Sequence, residues 1–183
     1  MVNLNDIHKF WKDPNDGNSP ESYLIGKEKS EFLVSIIDIP KDSKILELGC
    51  NIGRNLDYLS KAGFTDLRGI EISRKAVDFA KVHYPYLKIY CSSIEDIIKD
   101  LREFDLVFTM ATLEHIHTDS EWIFPEVERI AKRLITIEDE RGVSPRHFPR
   151  NYKNVFKLKQ IKEINLKHIK GLDENFIARV FIK

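Results

Sequence analysis

The sequence predicts an α/β protein: a doubly wound, mostly parallel sheet covered by helices on both faces and ending in an antiparallel hairpin. Three observations carry this. Apolar runs of five or six residues alternate with helix-length segments between Lys44 and Glu138, the rhythm of strands buried on both faces. A glycine-bearing turn, Gly49-Cys50-Asn51-Ile52-Gly53, joins the first run to its helix. After Glu140 the rhythm breaks, and two longer β-type segments follow around Gly171; so short a connection makes them pair antiparallel.

Taken in order, residues 13–20 are dense in turn formers, and a helical pattern through Phe32, Leu33, Ile36 and Ile37 stops at Pro40. Lys44 to Leu48 is the first strand, and its helix, Asn55 to Ala62, is closed by Gly63. Leu67 to Glu71 is the second strand, with Ser73 capping a helix over 74–83. The third unit is Leu87 to Cys91 with a helix from Ile94 to Leu101. The fourth is Asp105 to Thr109 with a helix from Ser120 to Lys132. Arg133 to Glu138 is the fifth strand. Beyond the irregular stretch at Gly142, Pro145 and Pro149 come a short helix at 152–158 and the hairpin segments 160–169 and 175–182.

The chain has 183 residues, 42% hydrophobic and 32% charged, so one domain with a sizeable core is expected and intrinsic disorder is excluded. It divides into a helical lid over 1–40, a ligand-binding core over 44–138 and a substrate-side loop with the hairpin over 139–183. No apolar run approaches membrane-spanning length and residues 1–10 lack a signal-peptide pattern, giving a cytoplasmic, non-membrane expectation. Cys50 and Cys91 have no metal-ligand spacing and read as small buried fillers. Net charge is zero, yet residues 141–183 hold 11 Lys and Arg against 3 Asp and Glu, and the rest of the chain 18 against 26. That segment is either a solvated basic face or the approach for an acidic or phosphorylated substrate.

Two acids mark the ligand site. Glu47 lies just ahead of the glycine turn, where an acid can meet the ammonium of an amino-acid-like ligand. Glu71 ends the second strand 24 residues later, placed to hold ribose hydroxyls. Asn51 stands where glycine is common, and Asn tolerates the left-handed conformation.

From Lys44 to Glu138 the sequence resembles the class I S-adenosylmethionine-dependent methyltransferases. Leu46-Glu47-Leu48-Gly49-Cys50-Asn51-Ile52-Gly53 looks like their first motif, Gly69-Ile70-Glu71-Ile72-Ser73 their second and Ser92-Ser93-Ile94-Glu95-Asp96-Ile97 their adenine loop. Phe104-Asp105-Leu106-Val107-Phe108-Thr109 resembles the fourth motif. The resemblance implies a Rossmann-like seven-stranded sheet of order 3-2-1-4-5-7-6 and S-adenosyl-L-methionine as cofactor, leaving as S-adenosyl-L-homocysteine. It implies that Glu47, Gly49, Cys50, Asn51 and Gly53 surround the methionine portion, with Thr109 and Met110 lining it. Glu71 would hold the ribose, and Ile72, Ser93 and Ile94 the adenine. Asn51 for glycine and Ser93 for Asp are departures.

Methyl transfer needs a nucleophile aligned with the sulfonium carbon and, for a hydroxyl, a base. His115 after strand four and His147 beyond strand five have suitable chemistry. Some relatives place a Glu-x-x-Glu-His metal cluster here; Ala111 replaces the first acid, so no metal is expected. Glu114, Glu138, Arg146, Arg150 and Tyr152 are candidates for the acceptor pocket. Trp11 and Tyr23 belong to the segment expected to fold over the cofactor. The acceptor expected is a small molecule, acidic, phosphorylated or sugar-like, methylated on oxygen or nitrogen by a monomer or homodimer. The basic C-terminal segment keeps an RNA acceptor as the alternative, and a non-catalytic cofactor-binding partner subunit is a third reading.

Overall fold

Side-chain alternation along the central strands divides the core into two layers, one on each side of a sheet. The computed structural model describes residues 2–13, 18–142, 144–172 and 175–183; residues 14–17, half of the turn cluster at 13–20, lie outside these. Among them the strands are β1 (Lys44–Leu48), β2 (Asp66–Glu71), β3 (Lys88–Cys91), β4 (Leu106–Met110), β5 (Arg133–Asp139), β6 (Lys159–Asn165) and β7 (Phe176–Ile182). They form one seven-stranded sheet in the order β3-β2-β1-β4-β5-β7-β6. The first five are parallel, and β7 runs antiparallel to both β5 and β6. The architecture implied by the sequence is the one observed.

In β1, Leu46 and Leu48 face a layer that includes Val107, Leu134 and Phe181, while Ile45 faces the layer of Leu106, Phe108, Ile135 and Val180. The first layer is covered by α5 (Ile94–Ile97), α6 (Ile123–Ile130) and α7 (Tyr152–Val155); the second by α2 (Lys27–Ile36) and α3 (Arg54–Lys61). A period of two thus produces a sheet buried on both faces. α4 (Arg74–His83) begins as expected, with Ser73 Oγ accepting from the Ala76 N–H. α1 (Leu4–Lys12) opens on a capping box in which Asn3 and Asp6 bond each other's backbone N–H.

Boundaries depart from the sequence expectation where local polar chemistry intervenes. The expected helix over 94–101 is α for only one turn and then 3-10 over Ile98–Asp100. Arg129 seals that end by donating to the carbonyls of Ile98 and Leu101, each at 2.9 Å. The helix expected from Ser120 starts at Ile123, after a 3-10 turn at Thr118–Ser120. Pro125 then sits in the first turn, where a missing N–H costs nothing. β6 stops at Asn165 because its side chain accepts from the Lys167 N–H at 3.0 Å, starting a turn. Cys50 is a buried filler, but Cys91, on edge strand β3, is only half-buried.

Gly69 in β2 positions the site. A methyl group there would collide with Cys50 Sγ, so the bare backbone lets the β1–α3 turn lie directly on β2. Gly69→Ala is expected to lower unfolding stability by about 1–3 kcal/mol, the usual cost of overpacking. Urea denaturation with an unchanged midpoint would show that the turn has room to move.

Candidate active site

The turn between β1 and α3 is built on left-handed backbone: φ is 71° at Gly49, 47° at Asn51 and 80° at Gly53. Asn51 tolerates what most side chains resist. At Gly49 a side chain would also strike Thr112, from the loop after β4. The N–H groups of Gly49 and Cys50 both donate to the Ile70 carbonyl, at 2.9 and 3.0 Å. The Asn51 N–H donates to Glu71 Oε2 at 2.8 Å, and the Ser73 N–H to Glu71 Oε1 at 2.7 Å. The tips of β1 and β2 are therefore locked together through one carboxylate.

Glu47 and Glu71 are both buried. Burial raises the Glu71 carboxyl, opposed by the N–H bonds it accepts from Ser73 and Asn51. Glu47 is more extreme. Its Oε1 accepts from Asn55 Nδ2 at 2.7 Å, its Oε2 is buried without a hydrogen-bond partner, and burial pushes its pKa up to about 8. An orphaned acceptor beside a ligand-sized cavity is a site awaiting a donor.

Two cavities share lining residues at the turn. The first, about 470 Å³, is lined by Glu71, Ile72, Ser93, Ile94, Met110, Ala111, Thr112, Trp11, His115, Arg146 and His147. The second, about 520 Å³, is lined by Glu47, Cys50, Arg54, Asn55 and Lys170, and Lys29 lines both. Tyr23, Gly49 and Asn51 line both. Each volume suits a cofactor-sized ligand. α1 covers the first cavity: Trp11 lies 4.5 Å from the His115 ring, the Arg146 guanidinium stacks 3.9 Å over Phe10, and His8 Nε2 meets Glu95 Oε1 at 3.1 Å.

Several candidate residues hold positions other than the one expected. Thr109 is fully buried and lines neither cavity, whereas its neighbour Met110 lines both. Ser93 reaches the cavity, but its Oγ caps α5 by accepting from the Asp96 N–H at 3.2 Å. Glu138 is fully buried; its Oε2 accepts from the N–H groups of Thr112 and Glu114, at 2.9 and 3.2 Å, and burial raises its pKa to about 7. Glu114 is also buried, with Oε2 accepting from the Asp139 N–H at 2.6 Å. Arg150 spends its fork on the carbonyls of Ile116 and Phe148 and on Glu121. Tyr152 packs between Phe124 and Phe156 in the core. These acids and the arginine brace the loops around the site and line neither cavity.

His115 and His147 do meet the cavity, with ring centroids 4.7 Å apart. Burial lowers both, His115 to about 4, so each stands neutral. His117 turns away: its Nδ1 caps a 3-10 turn and its Nε2 contacts the Val2 carbonyl. Sequence reasoning missed Lys29, Arg54, Asn55 and Thr112. Arg54 and Asn55 immediately follow the glycine turn, and that adjacency was the available signal. Lys29 arrives on α2 and left none.

With this geometry in view, the relatives are informative. The family described as Methyltransferase domain matches residues 46–134, the stretch holding the glycine turn, both acids and the loop after β4. Over that stretch, a little under half of its length, the chain is similar to the methyltransferase domain family. It is 26% identical over 150 residues to a ubiquinone biosynthesis O-methyltransferase of Pelagibacter ubique, covering 72% of this chain and 62% of that protein. It is 29% identical over 98 residues to phosphoethanolamine N-methyltransferase 3 of Arabidopsis thaliana, covering 50% of this chain and 19% of that one. The chain thus spans less than two thirds of the curated relatives it matches. A chain of the complex between the Haloferax volcanii Trm112 methyltransferase activator and a methyltransferase superposes with TM-score 0.75 at 12% identity, covering 97% of both chains; this likeness concerns fold alone. Among the described residues no helix is long and apolar enough to cross a membrane.

The raised Glu47 pKa has a measurable sign. The folded protein holds a proton that the unfolded chain releases above about pH 4.5, so this contribution to stability is complete below that pH and is lost as pH rises through about 8. Glu138 acts in the same direction. Glu47→Gln should flatten the decline by up to about 1.4 kcal/mol per pH unit. Urea unfolding of ligand-free protein checks this, and parallel profiles for the two proteins would refute it.

Proposed function

We propose that the chain transfers a methyl group from S-adenosyl-L-methionine to an oxygen or nitrogen of a small-molecule acceptor. One observation carries the reading: two buried carboxylates at neighbouring strand tips bracket a left-handed glycine turn, each on a ligand-sized cavity, and one keeps an unpartnered oxygen. The residues fit the cofactor. Glu47 Oε2 would take the ammonium, with Arg54 and Lys29 near for the carboxylate. Glu71 would take the ribose hydroxyls while still accepting from Asn51 and Ser73. Ile72 and Ile94 would pack on the adenine, and the bare backbone of Gly49 lets the methionine portion approach.

When bound, the cofactor supplies an activated methyl group on a sulfonium sulfur. The chain's own part is alignment and exclusion of water. Trp11 and Phe10 on α1 close the acceptor end, and Arg146 offers a positive charge to an acidic or phosphorylated acceptor. His115 and His147, both neutral, bring uncharged imidazoles to the wall of the same cavity.

The basic C-terminal segment bears on the choice of acceptor. Arg146 and Lys170 reach the cavities, while Arg150 and Arg179 are buried in ion pairs with Glu121, Glu140 and Glu163. Arg141 and the scattered lysines remain for a polyanion, a thin set that favours a small acceptor over RNA. The O- and N-methyltransferases named among the relatives accord with either reacting atom.

Calorimetry with S-adenosyl-L-methionine, followed by a labelled-methyl screen of metabolites and RNA, tests the reading; preference for NAD would defeat it. Glu71→Ala should weaken cofactor binding by about 1–3 kcal/mol, the scale of a lost buried hydrogen-bond partner. Near neutrality, pairing Glu47 with the cofactor ammonium should release close to one proton, read from calorimetry in buffers of differing ionisation enthalpy. Glu47→Gln should release none, and equal release from both proteins would remove Glu47 from the ammonium site.

A further inference from the structure

We infer that Arg146 and Trp11 form a carboxylate-recognition subsite in the first cavity, so that the methyl acceptor is a small organic acid rather than a phosphate ester. The role of that acid as acceptor rests on the methyl-transfer reading; the binding subsite does not.

The arginines of the chain set the starting point. Every other arginine drawn in from solvent, namely Arg54, Arg68, Arg133, Arg150 and Arg179, donates its guanidinium to a protein oxygen. Arg146 is also half-buried and lines the cavity, yet among the described residues no oxygen takes its guanidinium. Its guanidinium carbon lies 3.9 Å from the centre of the Phe10 ring. A guanidinium that covers a ring with its face keeps the N–H fork at its edge, and that fork matches the two coplanar oxygens of a carboxylate.

Trp11 supplies a second donor. Its indole N–H is buried without a hydrogen-bond partner, and Trp11 lines the same cavity. A buried indole N–H ordinarily finds an acceptor. The Trp11 ring stands edge-on to Phe10 at 5.0 Å, so the indole and the guanidinium share one aromatic neighbour. The Arg146 backbone is held as well: its carbonyl accepts from His115 Nδ1 at 3.1 Å, and its N–H donates to Ser144 Oγ at 3.3 Å.

Both side chains donate and neither accepts, so the matching ligand group is an anion with oxygens that only accept. Charge decides between carboxylate and phosphate. His115 and His147 are neutral, and the Arg146 charge itself helps to hold both down. Lys29, the cavity's only other lysine or arginine among the described residues, packs against Gly171 in the turn between β6 and β7. Two acids, Glu71 and Glu95, line the cavity too. One guanidinium among neutral imidazoles and acids balances a single negative charge and leaves a phosphate dianion short of partners. Phe10, Trp11 and Ile116 give the cavity apolar wall, which suits an acid carried on a hydrocarbon or aromatic body.

The test titrates benzoate into the full chain carrying Trp122→Phe, which leaves Trp11 as the reporter, with and without S-adenosyl-L-homocysteine. Expected is a saturable change in Trp11 fluorescence, with phenyl phosphate and benzyl alcohol both binding more weakly than benzoate. Calorimetry should show benzoate affinity reduced about 10–100-fold in Arg146→Gln, the scale of a lost charged hydrogen bond, and a few-fold in Trp11→Phe. Arg141 is exposed on the same loop, and Arg141→Gln should bind benzoate as the parent does. A readout without substitution at the subsite is phenylglyoxal modification mapped by mass spectrometry, from which benzoate should shield Arg146. The subsite is overturned by no saturable response under either condition, by parental affinity in Arg146→Gln, by an unshielded Arg146, or by phenyl phosphate binding more tightly than benzoate. Cofactor calorimetry is read separately. Benzoate bound by a chain that does not bind S-adenosyl-L-methionine defeats the methyl-donor reading, and the converse defeats the carboxylate subsite.

Discussion

The carboxylate of Glu71 is the interaction on which the site depends. It accepts from the N–H groups of Asn51 and Ser73 and so joins the turn after β1 to the start of α4 across two adjacent strands. A carboxylate in that position satisfies donors that burial would otherwise leave unpaired. With the Ile70 carbonyl taking two further N–H groups, the turn is held open as a rim for ligand rather than collapsing onto the sheet. Gly69 makes this possible by leaving room for Cys50, and Gly49 by leaving room for Thr112.

The same device recurs on the acceptor side. Glu138 and Glu114, at and beside the tips of β5 and β4, accept backbone N–H groups from each other's neighbourhood. Buried acids therefore serve two purposes in this protein. Some brace loops, and Glu47 keeps one oxygen unpartnered on a cavity wall. Burial raises Glu47, Glu71 and Glu138 alike; access to a cavity, which Glu47 and Glu71 have and Glu138 lacks, separates them.

Most of the strand plan and the glycine turn were legible because they depend on period and on residues with special backbone freedom. Lys44–Leu48 and Arg74–His83 form with the expected limits. Less legible were ends decided by remote groups, such as Arg129 terminating the helix after β3. Among candidate residues, Glu47, Glu71, Met110 and the two histidines reach the cavities, whereas Tyr152, Arg150 and Glu138 are drawn into the interior. An aromatic or charged residue at the end of a strand, in a loop or at the start of a short helix gives no local sign of which way it turns.

The sequence by itself determined the sheet, the order of its elements and the two acids at the strand tips, since each follows from short-range periodicity and from turn chemistry read within a few residues. Only the tertiary structure decided that His147 joins Glu114 and His115, that α1 lays Trp11 over them and that Arg54 and Asn55 approach Glu47. Those meetings depend on how loops far apart in the chain pack on a common core, and such packing is set by contacts that no local pattern encodes.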